Sequence, residues 1–363
     1  MLDMARELWV IARRYRLELA RGLFLLGVSV LLAPADHPIA LENPPRRVET
    51  TKSQMCVHTR LIDEVSEQVI QRSLQVVREL GADTIVEFFP WAYVEDAPGR
   101  YNWAQSDLII KHAQNQGLRV IARMGFVPAW ARPDPVKQPT TLNYLPDNAY
   151  DSFSDYVALF AARYAGVVED IIIWNEPNLA FEWGYRPPDA AAYVRLLSEV
   201  YPRVKAANPN ARILAGALAP TVEPPGSPHG LNDVLYLEAM YAAGAAPYFD
   251  ALAAHTYGFT LPPDTEPAFD ALNFRRVELL RAVMLRYDDG TTPVYITESG
   301  WNDHPRWTHA VRPSQRAAYT VDGFHYAEQH WVWAQKVCVW ALRYPRPTNS
   351  YPDYFTLITP DFQ

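Results

Sequence analysis

From Met55 onward the sequence keeps one rhythm: a short apolar run, a loop, then a stretch with apolar residues on one helical face. Strand candidates begin near Met55, Thr84, Leu118, Asp170, Ala211, Phe249, Pro293 and Lys336. Eight starts between 55 and 336 leave seven intervals of about 40 residues, enough for strand, loop, helix and loop. Ile171-Ile172-Ile173 and Val294-Tyr295-Ile296 are apolar on both faces, as parallel strands covered by helices must be. Ile70, Leu74 and Val77 fall at i, i+4 and i+7 behind a candidate Ser66 cap, and Gly81 supplies a left-handed stop. Leu108 to His112 runs into Gly117 in the same way, and Phe153, Val157, Phe160 and Tyr164 form another stripe. Further helices are expected near 189–207, 231–243, 273–288 and 314–330. Eight strand–helix units predict an α/β fold, a closed (β/α)8 TIM barrel. An open doubly wound sheet is the alternative, but its Gly-rich first turn is missing. Residues 345–363 have no helical period, so the barrel is expected to lack a regular eighth helix, with apolar surface at risk beside strands eight and one.

The amino-terminal segment reads differently. Five arginines among residues 1–21 precede an uninterrupted apolar run from Leu23 to Ala33 and the small-x-small triplet Ala33-Pro34-Ala35. That layout predicts a secretory signal over residues 1–35, with retention as a membrane anchor the alternative. The apolar run falls short of the ~20 residues needed to span a bilayer. Residues 36–53 read as a Pro-containing linker, and residues 54–363 as one barrel domain. A secreted or extracytoplasmic protein is expected, touching a membrane only through such an anchor.

Composition removes several function classes. With 33 basic and 41 acidic residues the net charge is −8, which argues against nucleic acid as a partner. Cys56 and Cys338 form no metal knuckle, and there is no His-Glu-x-x-His run, phosphate loop or Gly-x-Ser-x-Gly elbow. The two cysteines fall on strands that are neighbours in a closed barrel. Buried thiols are expected rather than a disulfide, because strand spacing alone does not guarantee the required Cα separation. The 11 tryptophans fit either a rich core or flat surfaces that stack sugar rings.

Barrel enzymes carry their chemistry at the carboxyl ends of the strands. Those ends hold His58 on the first strand, Trp91 past the second, Trp130 past the third and Asn175-Glu176 on the fourth. His255 and Tyr257 end the sixth, Glu298 lies on the seventh and Trp340 ends the eighth. Glu176 and Glu298 both follow apolar runs, where a solvated surface carboxylate would not be placed. Two such groups in one mouth suit acid and nucleophile roles in glycoside chemistry. Asn175 could also cap a turn, and His255 could be a packing histidine.

The runs Ile172-Ile173-Trp174-Asn175-Glu176-Pro177-Asn178 and Ile296-Thr297-Glu298-Ser299-Gly300-Trp301 resemble those of the clan A glycoside hydrolases. The nearest families are the cellulase-like family 5 and the xylosidase/iduronidase family 39. The resemblance implies a retaining enzyme with Glu176 as acid/base and Glu298 as nucleophile. It places Asn175 on the sugar 2-hydroxyl, Tyr257 beside the nucleophile and Trp340 under the sugar. The stretches Pro98-Gly99-Arg100-Tyr101-Asn102-Trp103 and Pro128-Ala129-Trp130-Ala131 share the likeness, which covers roughly residues 55–345. His255, His58, Trp301 and Trp130 are added as substrate-binding candidates, with Trp183 above the mouth.

Departures exist as well. Arg60 lies just past the first strand, Arg123 lies within the third, and Met124–Trp130 contains no histidine, so His58 is expected to share the contacts to the reacting sugar. The implied function is a retaining O-glycoside hydrolase acting on a β-linked poly- or oligosaccharide. It needs no metal or cofactor, and a monomer is expected. A carbohydrate-binding barrel without turnover, and a transglycosylase using the same residues, are the alternatives.

Overall fold

The computed structural model describes residues 49–363 apart from 51, 135, 137 and 139, together with scattered positions between 9 and 25. The chain divides into two units, Met1–Pro45 and Arg46–Gln363. The expected signal and most of the linker lie outside the described residues. Among the described residues no helix is long and apolar enough to cross a membrane.

Eight parallel strands form a closed barrel: β1 (Met55–His58), β2 (Thr84–Pro90), β3 (Arg119–Gly125), β4 (Asp170–Ile173), β5 (Arg212–Leu218), β6 (Ala251–Tyr257), β7 (Val294–Gly300) and β8 (Ala334–Val339). Each starts within about two residues of its expected position. Seven helices cover it: α1 (Glu67–Glu79), α2 (Ala104–Asn115), α3 (Tyr150–Arg163), α4 (Ala190–Ala207), α5 (Asp233–Ala242), α6 (Val277–Arg286) and α7 (Pro313–His330). Ser66 does occupy the N-cap position of α1, but its hydroxyl donates to Gln68 Oε1 instead of capping the backbone. Asp189 and Asn232 do cap, accepting from the amides of Ala192 and Val234.

The expected gap after β8 is present among the described residues: a 3-10 turn, Tyr351–Phe355, stands where an eighth helix would be. The tail covers the seam instead. Leu357 and Ile358 amides donate to the Leu342 carbonyl, and buried Arg343 donates to Ser73 of α1 and to the Pro360 carbonyl.

Two apolar layers follow from the period-two alternation of strands. Outward residues pack against the helices, while Cys56, Val86, Ile121, Ile172, Leu214, Ala251, Ala253, Tyr295 and Cys338 form a separate cluster inside the barrel. Two positions further along their strands, the next inward residues emerge at the mouth: His58 after Cys56, Phe88 after Val86, Arg123 after Ile121 and Trp340 after Cys338. The inner layer thus fixes which side chains reach the site.

One expectation about that layer is corrected. Cys56 and Cys338 are partners in the β1–β8 register, 4.3 Å apart at Cα, and they form a disulfide rather than two thiols. Closure of the barrel supplies the proximity that spacing along the chain could not. The bond links positions 282 residues apart. Replacing both cysteines by alanine is expected to lower the unfolding free energy by about 2–4 kcal/mol in guanidinium titrations. The unreduced parent should release no free thiol when denatured, and one that does would count against the bond.

Candidate active site

The mouth of the barrel holds a cavity of about 310 Å³ whose lining includes Glu176, Glu298, Asn175, Arg123 and Trp340. Glu176 sits just past β4, in a turn where Trp174 and Glu176 have φ of 75° and 43°. Such left-handed backbone is costly for residues with a side chain and persists where the surroundings enforce it. Here the Glu176 amide donates to the Ala217 carbonyl and the Trp174 amide to the Met124 carbonyl, which hold the turn from both sides. Glu298 reaches the same space from β7. The β6–β7 register shifts between Ala254 and His255, so that Ala254 pairs with Ile296 but His255 pairs with Glu298. The extra residue, Thr297, re-aims the strand end, a frequent use of such irregularities beside active sites.

The two carboxyl groups meet. Single atoms of Glu176, His255 and Glu298 all lie within 4.8 Å of one another. His255 Nδ1 is 2.8 Å from Glu176 Oε1 and 3.5 Å from Glu298 Oε2, so the ring bridges the pair. Tyr257 donates its hydroxyl to Glu298 Oε2 at 2.7 Å. Burial and the neighbouring carboxylates push that phenol far above its usual range, so it stays a donor. Arg123 donates through Nη1 to Glu298 Oε1 at 2.8 Å and to Asn175 Oδ1 at 2.7 Å. The spacing of Glu176, His255 and Glu298 would suit a metal ion geometrically. A guanidinium already on Glu298 disfavours a second cation there, and the trio is more simply an acid–base network.

His58 lies against Glu298. Its Nδ1 donates to the Thr59 carbonyl at 2.9 Å, which leaves Nε2 as a lone-pair acceptor. That atom is buried, has no hydrogen-bond partner and points toward Glu298 Oε1 at 3.7 Å. Burial, with Arg123 and Arg60 nearby, holds the ring well below the usual histidine range, so it is neutral. Trp340 packs edge-on against His58 with centroids 4.4 Å apart and shows part of its surface to the cavity.

Glu176, Glu298, Asn175, His255, Tyr257, His58 and Trp340 therefore converge as expected. Trp301 and Trp130 do not. Trp301 is buried beneath Gly258 and Phe274, with Nε1 bonded to the Leu261 carbonyl, so neither face is open to a sugar. Trp130 bonds the Glu95 carbonyl, packs on Trp91 and lines a separate groove with Arg132 and Pro146. Trp183 is likewise core. Several cavity residues escape a reading of the sequence as site members, among them Arg123, Asn143, Glu182 and the aromatics Phe88, Tyr93 and Phe126. Only Arg123 leaves a signal, a charge inside an apolar strand two positions after Ile121.

No family model and no curated protein matches the chain. Solved structures match its fold. A family 39 glycoside hydrolase from Bacteroides cellulosilyticus WH2 superposes with a TM-score of 0.68 at 21% identity, over 85% of this chain and 60% of that one. A monomeric beta-xylosidase from Caulobacter crescentus CB15 gives 0.61 at 21% identity, over 89% and 67%. The GH39 enzyme from Xanthomonas axonopodis pv. citri gives 0.60 at 19% identity, over 92% and 69%. The chain thus shares their barrel while spanning 60% of the length of the Bacteroides structure.

The neutral His58 has a consequence for stability. The unfolded chain takes up a proton at His58 near pH 6.5 that the folded protein refuses, so stability is lost as pH falls below that value. Between pH 7.5 and 5.5 this amounts to at most about 1.4 kcal/mol, the whole of the unfolded chain's uptake. The gap in unfolding free energy between the parent and His58→Gln should shift by up to that amount in the variant's favour over the same range. A gap independent of pH would mean that His58 protonates freely in the fold.

Proposed function

We propose that this protein is a retaining glycoside hydrolase of the clan A type, acting on a β-linked poly- or oligosaccharide. The single observation that carries the reading is the approach of Glu176 and Glu298 across the mouth. Retaining enzymes hold their carboxyl groups about 5–5.5 Å apart, whereas inverting ones leave ~6.5–9.5 Å for a water. One oxygen of each lies within 4.8 Å of the other, nearer the retaining than the inverting spacing, which favours direct attack on the anomeric carbon.

Arg123 and Tyr257 address the two oxygens of Glu298 and aim the carboxylate as nucleophile. Glu176, hydrogen-bonded to His255, gives its proton to the glycosidic oxygen as the bond to the anomeric carbon breaks. Glu176 then takes a proton from water, whose oxygen displaces Glu298 and restores the starting configuration. Asn175, held by Arg123, lines the cavity and is placed for a sugar hydroxyl next to the reacting carbon. Beta-xylosidases among the structural neighbours agree with a β-linked substrate. The carboxyl pair with its full set of donors favours turnover over a binding-only barrel.

We also propose an extracytoplasmic location. The Cys56–Cys338 disulfide suits an oxidising compartment, in line with the signal-like layout of residues 1–35.

Hydrolysis of aryl β-glycosides is the direct test. Glu176→Gln should lower turnover on the order of 10²–10⁴-fold, and Glu298→Ala should abolish labelling by a fluorinated slow substrate. Proton NMR should show the first product in the substrate's anomeric form. An inverted first product would falsify the two-step mechanism.

A further inference from the structure

Six residues beyond Glu176, Glu182 lines the same cavity, and no step of the displacement uses it. It lies in the loop between β4 and α4 and is half-buried, open on its cavity side. Two contacts fix it. Asn143 Nδ2 donates to Glu182 Oε2 at 3.1 Å, and Trp174 Nε1 donates to the Glu182 carbonyl at 2.8 Å. The second contact couples its backbone to the left-handed turn that presents Glu176. Four carboxyl groups therefore line one cavity: Asp63, Glu176, Glu182 and Glu298. Of the two arginines lining it, Arg60 is paired with Asp63 at 3.0 Å and Arg123 with Glu298 at 2.8 Å.

The charges around Glu182 decide its form. Burial and Glu176 just past β4 push its carboxyl up, Glu298 on β7 adds to the rise, and Arg123 on β3 and a hydrogen bond from Asn175 oppose it. The balance lies at about 8. At neutral pH the group is a carboxylic acid with a hydrogen to donate, whereas Glu298 is addressed by donors on both oxygens. Phe88, Tyr93 and Phe126 give the same cavity an aromatic part of its lining.

We propose that Glu182 is a substrate-binding residue whose carboxyl donates a hydrogen bond to a sugar oxygen beside Glu176, so that it reads the part of the substrate next to the scissile bond. The proposal deepens the glycosidase reading and rests on it. A merely structural Glu182, needed only to hold Asn143, would behave differently. Glutamine presents an N–H to the sugar in the same place and keeps an oxygen for Asn143, whereas alanine presents nothing.

The test compares the parent with Glu182→Gln and Glu182→Ala. On the best aryl glycoside at pH 6, Glu182→Ala should raise KM by about 10-fold while kcat changes less than about 3-fold, and Glu182→Gln should restore KM. Above pH 8 the parent's KM should rise, and that of Glu182→Gln should stay flat. Carbon-detected NMR of side-chain carboxyl groups should show one glutamate titrating near pH 8 that vanishes in Glu182→Gln. An unchanged KM in Glu182→Ala, a glutamine variant as impaired as alanine, or no such glutamate signal would each overturn the proposal. A parent without turnover would sink the glycosidase reading instead. Glu182 is then judged on affinity for a panel of β-linked oligosaccharides, where equal binding by parent and Glu182→Ala overturns it.

Discussion

Two carboxyl groups held within 4.8 Å in a partly dehydrated mouth repel each other unless something between them supplies positive charge and protons. Arg123 supplies a positive charge to Glu298. Its Nη1 reaches Glu298 and Asn175 together, so one guanidinium stabilises that carboxylate and orients the amide beside Glu176. His255 closes the network on the other side by touching both glutamates. Without these two bridges the geometry at the mouth would be an electrostatic liability.

Arg123 can play this part because of what lies beneath it. Ile121, two residues earlier on β3, fills the interior layer of the barrel, and strand alternation then turns position 123 inward again, one level higher. The same logic brings His58 above Cys56 and Trp340 above Cys338. The packed interior acts as a plug that sets the depth of the cavity, and the site is the first layer above it where polar groups replace apolar ones. Where alternation would send the wrong side chain inward, the strand is altered: the β6–β7 shift passes over Thr297 and presents Glu298.

This division determines what the sequence reveals. Strands and helices are legible because their signals are local. Glu176 and Glu298 are legible because a carboxylate that ends a buried apolar run is costly to keep there, which marks it out as a candidate. Arg123 is visible as an oddity, but its meaning depends on which face of β3 is interior, and an apolar-on-both-faces strand does not declare that. The disulfide is hidden for a related reason. Cys56 and Cys338 become Cα neighbours only when the first and last strands meet, a fact of closure rather than of local pattern. Trp301 follows Glu298 by three residues and shares its motif, yet the chain turns there and buries the ring under Gly258, where the missing side chain leaves room for it. Glu182 lies on a loop, with no periodicity to place it.

The seam between β8 and β1 ties these themes together. β1 has four residues, and among the described residues no regular helix follows β8 to cover this part of the wall. Yet Trp340, which lines the cavity, and His58, which lies against Glu298, both come from it. The compensation is concentrated at the same place: the disulfide one layer below these two residues, and Arg343 three positions past Trp340, which pins the tail to α1. Phe355 of the tail packs on Tyr257 with centroids 5.3 Å apart, and Tyr257 in turn bonds Glu298. The segment that replaces the eighth helix is thus one ring away from Glu298, so the tail that meets the end of β8 also braces the side chain that bonds this carboxylate.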